Sequence, residues 1–87
     1  MEKYKISIKK SAAKELKPIP NKDRDKIIAQ IRLLAENPRP AGSEKLSHRE
    51  QHRLRQGDYR IVYSVNDKEH SIEIIKIGHR REIYRNN

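Results

Sequence analysis

The second half of the chain most constrains the fold, because it contains three strand-like runs joined by very short turns. The runs span residues 52–56, 59–65 and 71–77; Gly57-Asp58 separates the first two, and Asn66-Asp67 begins the turn before the third. In the middle run every second residue is large and apolar, which is typical of a β-strand with one buried face. Short turns make neighbouring strands antiparallel. The third run is apolar on both faces, which predicts a central strand.

The first half predicts one strand and two helices. Residues 4–9 alternate between apolar and polar side chains, as a half-buried strand does. Ser11 is expected to cap a short helix that ends near Pro18, and Asn21 to cap a longer helix that ends near Pro38. The residues that should turn the second helix towards a core recur at helical spacing. They are Ile27, Ile31 and Leu34.

These elements predict an α+β fold with the order β-α-α-β-β-β. A helical hairpin packed on one face of a mostly antiparallel sheet buries the apolar faces of both layers. One domain over residues 1–87 is expected. Arg53, Arg55 and Arg60 fall opposite the apolar positions of their own strands. We therefore expect the three guanidinium groups to share the sheet face that the helices leave open.

The charge of the chain predicts an acidic partner. Its 87 residues carry a formal net charge of +9, and seven of the ten cations in residues 45–87 are arginines. Arginine binds phosphate through a planar fork, whereas lysine acts as a point charge. A nucleic acid is therefore the favoured partner, although an acidic protein stays an alternative. No apolar run is long enough to span a bilayer, so no membrane role and a cytoplasmic location are expected.

Several chemistries are not indicated by the sequence. Without cysteine there is no thiolate metal site or disulfide. The histidines lack the spacing of a metal motif and are expected at the surface: His48, His52, His70 and His79. Phosphate-binding glycine loops are absent as well, so neither a metal nor a cofactor is expected.

A basic C-terminal segment completes the pattern. The stretches that carry a family resemblance are Lys45-Leu46, HRLRQGDYRIVY at 52–63 and IGHRREIY at 77–84. Their order and spacing resemble the RelE/ParE toxin superfamily, and within it the RelE-like mRNA interferases. That resemblance implies the toxin of a type II toxin–antitoxin system, a metal-independent endoribonuclease that cleaves mRNA in the ribosomal A site. The RNA 2′-hydroxyl would attack the adjacent phosphate.

The resemblance also implies roles for individual residues. Arg60 would contact the scissile phosphate, Arg80 would act as general acid or charge stabiliser, and Tyr84 would act as general base or orient the nucleophile. The residues expected to bind RNA or the ribosome are basic or aromatic. They are Lys45, Arg53, Arg55, His79 and Arg81.

The implied partners are a cognate antitoxin and mRNA on the ribosome, with rRNA of the A site. The antitoxin is expected to meet the basic face or the C-terminal segment through acidic side chains. Operator DNA is expected to be a partner only of the complex with the antitoxin. Two other functions stay open: a ParE-like toxin that poisons gyrase, and a basic nucleic-acid-binding module without catalysis.

Overall fold

A computed structural model describes residues 3–46 and 51–79, which form two helices and a five-stranded sheet. The elements in chain order are β1 (Lys5–Ile8), α1 (Lys10–Leu16), α2 (Asn21–Leu34), β2 (Ser43–Lys45), β3 (Gln51–Gln56), β4 (Tyr59–Asn66) and β5 (Ser71–His79). Within these ranges neither helix is long and apolar enough to cross a membrane.

The sheet has the strand order β1-β5-β4-β3-β2. Strands β2 to β5 form an antiparallel meander, and β1 adds parallel to β5 at one edge. The α+β architecture predicted from sequence is confirmed, and so is the central position of the third apolar run. The predicted order β-α-α-β-β-β has no strand at residues 43–45, which form the edge strand β2. Three polar residues carry no apolar alternation, so pairing with β3 alone makes this segment a strand.

Both helices begin without the side-chain caps that the sequence suggested. Lys9 precedes α1 in an extended conformation, and Ser11 lies inside the helix. Pro20 precedes α2, and its carbonyl accepts the Arg24 N–H at 2.8 Å. Asn21 is already helical, and its side-chain oxygen accepts a hydrogen bond from the Arg24 guanidinium. The restricted φ of proline directs the chain into α2, so no hydroxyl or carboxylate cap is required.

The core lies between the two helices and one face of the sheet. The predicted stripe of α2 is confirmed, because Ile27, Ile31 and Leu34 are all buried. Tyr63 is fully buried in the sheet, and its hydroxyl donates to the Pro38 carbonyl at 2.8 Å. The surface position expected for His52 is wrong: its buried ring stacks on Tyr63, with centroids 5.5 Å apart. The other buried members of the core are Ala12, Ile19, Leu54, Ile61, Val65, Ile72, Ile74 and Ile77.

A register shift in β5 explains why that strand is apolar on both sides. Val62 pairs with Lys76, whereas the next residue of β4, Tyr63, pairs with Ile74. Ile75 is therefore an extra residue between two paired neighbours, as in a β-bulge. The shift lets Ile77 face the core with Ile74 although three positions separate them. A strictly alternating strand would have turned one of these two side chains to the opposite face.

A polar cluster joins β1, the segment after α2 and the turn between β4 and β5. The Tyr4 hydroxyl donates to Asp67 at 2.7 Å, and Arg39 forms an ion pair with the same carboxylate at 2.9 Å. The Tyr4 ring also stacks on His70, with centroids 4.6 Å apart. The hydrogen bonds from Arg39 and then from Tyr4 lower the pKa of Asp67. The ionised carboxylate is therefore favoured in the folded protein.

We expect protonation of Asp67 in acid to remove part of the stability of the folded protein. Because the folded state lowers the pKa of Asp67, its contribution to stability is present above its pKa in the unfolded chain. That contribution is lost as the pH falls below about 4, the ordinary pKa of an aspartate carboxyl, and through the lower folded-state pKa. Urea unfolding of wild type and Asp67→Asn across this pH range is the measurement. Asp67→Asn should show a shallower loss of stability.

Asp58→Asn is the matched control, since Asp58 is also an exposed turn aspartate and forms no ion pair within the described residues. The control should keep the acid dependence of the wild type. Equal slopes for all three proteins would contradict the role given to Asp67.

Candidate nucleic-acid interface

Three arginines line one concavity of about 440 Å³, together with residues of the segment that leads into β2. The lining residues are Ala41, Gly42, Ser43, Glu44, Arg53, Arg55 and Arg60. The arginines alternate with the core residues Leu54 and Ile61 along β3 and β4. They therefore lie on the sheet face away from the helices, and the shared face expected from strand alternation is confirmed.

The strand register places the cations of this concavity next to one another. Arg55 on β3 pairs directly with Arg60 on β4, and Arg53 pairs with Val62. Gly78 of β5 pairs with Arg60 on the other side and has no side chain to cover the guanidinium. Like charges directly opposite each other disfavour strand pairing. Such an arrangement is compensated when an anion lies between the two guanidinium groups.

Arg60 is the most buried cation of the concavity, with 4% of its surface exposed. One terminal nitrogen, Nη1, donates to the carbonyls of Tyr59 at 3.2 Å and Gly57 at 3.4 Å. Its Nε is buried, and no residue in the described ranges accepts a hydrogen bond from it. Nor does any described carboxylate form an ion pair with Arg60. A buried cation without a counter-ion is costly, and a bound phosphate would reduce that cost.

Arg53 differs from Arg60 because a carboxylate accompanies it. Glu44 on β2 pairs with Arg53 across the strands, and their side chains form an ion pair of 2.9 Å. Sequence reasoning missed Glu44, because residues 43–45 carry no strand pattern of their own. Once β2 is recognised as a strand, the pairing of Glu44 with Arg53 places both side chains on the same face of the sheet.

Two of the expected RNA-binding residues lie outside this concavity. Lys45 pairs with His52, whose ring is on the core side, and Lys45 does not line the arginine cavity. His79 contacts the Tyr59 ring edge-on at 5.8 Å. It lines a separate cleft of about 420 Å³ that also includes Glu15 of α1. The structure therefore brings together Arg53, Arg55 and Arg60, but it brings neither Lys45 nor His79 to them.

The remaining expected site residues are Arg80, Arg81 and Tyr84, and they lie outside the described residues. Within residues 3–46 and 51–79, no group of three or more histidine, aspartate or glutamate side chains could hold a metal ion. The chemistry that the described side chains offer is the binding of an anion by guanidinium groups.

Comparison with known proteins identifies the family. A family model described as the ParE toxin of type II toxin–antitoxin systems, parDE, matches residues 6–84. The chain belongs to the RelE/ParE toxin superfamily. Toxin RelE of Mycobacterium tuberculosis is 35% identical over 86 residues, which cover 97% of this chain and 89% of that protein.

Solved RelE structures share the fold of this RelE/ParE toxin. The archaeal RelE–RelB complex from Pyrococcus horikoshii superposes with a TM-score of 0.79 at 28% identity, covering 90% of this chain and 96% of the matched one. The intact RelBE toxin–antitoxin complex of E. coli gives a TM-score of 0.76 at 23% identity, with coverage of 87% and 95%. The fold that the sequence resemblance implied is therefore confirmed.

The turn between β3 and β4 contains Gly57, whose backbone conformation should matter for the stability of the protein. Gly57 has a φ of +59°, a conformation that side chains with a Cβ rarely adopt, and its carbonyl accepts from Arg60. Gly57→Ala should lower the free energy of unfolding by about 1 kcal/mol, because the left-handed conformation is strained for alanine. Urea unfolding measures this loss.

Gly42→Ala is the matched control, in the same concavity but with an ordinary backbone conformation. A Cβ at Gly42 would approach Leu54 Cδ1 at 3.8 Å, an ordinary contact distance. This variant should keep the stability of the wild type or gain slightly. Equal losses for both glycine variants would contradict the strain assigned to Gly57.

Proposed function

We propose that this RelE/ParE toxin is a ribosome-dependent endoribonuclease that cleaves mRNA in the A site and so inhibits translation. The observation that carries the proposal is the buried Arg60, which faces Arg55 across the strands in an open concavity and has no carboxylate partner among the described residues. A phosphodiester supplies the negative charge that this arrangement lacks. The 35% identity to a protein named Toxin RelE supports the same conclusion.

The proposed reaction is attack by the RNA 2′-oxygen on the adjacent phosphorus, with loss of the 5′-oxygen. The 2′-hydroxyl loses a proton, the departing 5′-oxygen gains one, and the products are a 2′,3′-cyclic phosphate and a 5′-hydroxyl. Arg60 would stabilise the charge that develops on the phosphorane, because its guanidinium is always ionised and is held by two carbonyls. Arg53 and Arg55 would hold the neighbouring phosphates of the RNA.

Proton transfer is the demanding part of this chemistry. By resemblance we assign Arg80 as general acid or charge stabiliser and Tyr84 as general base or orienter of the 2′-hydroxyl. A tyrosine phenol ordinarily has a pKa of about 10 and an arginine a still higher one, far from the value near 7 that suits acid–base catalysis. Alignment of the 2′-oxygen with the phosphorus would then supply much of the acceleration. A ribosome that holds the mRNA in a bent conformation provides such alignment.

The partners proposed for the toxin follow from its charge and its relatives. Both solved relatives described above are toxin–antitoxin complexes, which supports a cognate antitoxin for this chain. Acidic side chains of the antitoxin would complement the arginine concavity or the C-terminal segment. Lys45 and His79 would contact the ribosome or RNA outside the concavity, and Arg81 would also contact the ribosome or RNA. Operator DNA would be bound only by the complex, and the toxin would act in the cytoplasm.

Arg60→Gln tests the assignment of the phosphate contact. Removing a charged donor aimed at the developing charge should slow mRNA cleavage on programmed ribosomes by about 10²- to 10³-fold. Arg32→Gln is the control, because Arg32 is an exposed cation on α2, and α2 packs on the sheet face opposite the concavity. Circular dichroism should show both variants folded. Wild-type cleavage by Arg60→Gln would remove Arg60 from the proposed mechanism.

The same cleavage assay on ribosome-free mRNA tests the dependence on the ribosome. Cleavage of free RNA should be far slower, because the protein alone does not impose the bent geometry. Comparable rates with and without ribosomes would contradict this part of the proposal.

Gyrase poisoning is the second candidate function, and the ParE description of the matching family favours it. The two candidates predict different products in cells that express the toxin without an antitoxin. An A-site nuclease should produce new mRNA 5′ ends within translated regions while the chromosome stays intact. A gyrase poison should leave mRNA intact and cause DNA breaks. Mapping mRNA 5′ ends alongside an assay for chromosome breaks separates them.

A further inference from the structure

Glu44 places a negative charge in a concavity whose other charged residues, among those described, are arginines, and the nuclease proposal gives it no role. We propose that Glu44 competes with phosphate for the Arg53 guanidinium, and that it lowers the affinity of the free toxin for RNA. This inference rests on the proposed function, because it assumes that the arginine concavity binds an RNA backbone. It concerns how the site is regulated rather than the reaction itself.

The geometry supports competition for a single guanidinium. Glu44 Oε2 lies 2.9 Å from Arg53 Nη2, and the two residues are direct partners across β2 and β3. Glu44 is the one carboxylate among the described residues that line the concavity. Carboxylate and phosphate oxygens bind guanidinium N–H groups in the same way. Glu44 therefore occupies a donor that an RNA phosphate would use.

The ion pair is suited to being displaced. The Glu44 side chain is 64% exposed and the Arg53 side chain 21% exposed, so water screens their attraction. Exposed ion pairs of this kind add little to stability. Glu44 also lies on a three-residue edge strand, held by β3 alone. Loss of the pair should therefore leave the fold intact, and the pair should yield to a well-placed phosphate.

The two phosphate-binding cations consequently differ in availability. Arg60 has no carboxylate partner among the described residues, whereas Arg53 is neutralised by Glu44. Among the described residues that line the concavity, three arginines and one glutamate leave a net charge of +2. An RNA that places one phosphate at Arg60 leaves the Glu44–Arg53 pair intact. An RNA that places a second phosphate at Arg53 must displace Glu44.

The test is RNA binding by Glu44→Gln, which removes the charge but keeps the shape of the side chain. The probe is a short single-stranded RNA with 2′-O-methyl groups, because a methylated 2′-oxygen cannot attack and the probe stays intact. Fluorescence anisotropy should show about fivefold tighter binding by Glu44→Gln at low salt. The slope of log K against log salt concentration should steepen by about 0.7, since one more phosphate contact forms.

Glu36→Gln is the matched control, because Glu36 is also an exposed glutamate in a weak ion pair, with Lys3 at 3.6 Å, but lies outside the concavity. It should bind the probe as the wild type does. The decisive comparison is between Arg53→Gln and the double variant that also carries Glu44→Gln. If Glu44 acts by occupying the Arg53 guanidinium, adding Glu44→Gln to Arg53→Gln should change the affinity by less than about twofold.

Each other outcome overturns the proposal. A full fivefold gain in the Arg53→Gln background would show a general charge effect instead of competition. Unchanged or weaker binding by Glu44→Gln, or no binding of the probe by any variant, would exclude the competitor role. Unchanged binding with loss of cleavage on ribosomes would place the carboxylate in the chemistry. Failure of the proposed function appears separately, as a wild-type protein that leaves ribosome-bound mRNA uncut whatever its affinity for the probe.

Discussion

The pairing of β4 with β3 and β5 is the interaction on which the rest of the molecule depends. It buries Ile61 and Tyr63 against the helices, and it turns Arg60 to the opposite face in the middle of the sheet. One register therefore sets both the hydrophobic core and the position of the most buried cation. A shift by one residue would exchange these faces and expose the core side chains while burying guanidinium groups against α2.

The arginine concavity contains unfavourable electrostatic interactions that no contact among the described residues fully offsets. Arg55 and Arg60 are directly opposed, and the buried Nε of Arg60 has no acceptor among the described residues. The surrounding structure tolerates this cost because the sheet is held from its other face by a continuous apolar core. Uncompensated charge at a rigid position is a form of preorganisation, since the donors are already in place when an anion arrives. The Glu44–Arg53 pair moderates the same charge at the edge of the sheet.

Much of the fold followed from patterns within single elements. The alternation of 59–65 predicted β4, the helical spacing of Ile27 and Ile31 predicted the buried face of α2, and the shared face of the three arginines followed from strand parity. Among the predictions that were wrong, the helix caps at Ser11 and Asn21 are local features, whereas the unpredicted strand β2 and the surface position of His52 concern contacts between elements. β2 exists because β3 pairs with it, and His52 is buried because Tyr63 lies beside it. The β2 segment leaves no periodic trace in the local sequence, whereas His52 lies two residues before Leu54 and shares its face of β3.

The sequence by itself therefore determined which side chains share a face, because the period of a strand depends only on backbone geometry. Only the tertiary structure decided which of them meet. The bulge at Ile75 that keeps Ile74 and Ile77 on the core side depends on how β5 lies against β4. The meeting of Glu44 with Arg53 depends on an edge strand with no pattern of its own. Such contacts are set by register and packing between distant segments, and these are properties of the assembled sheet.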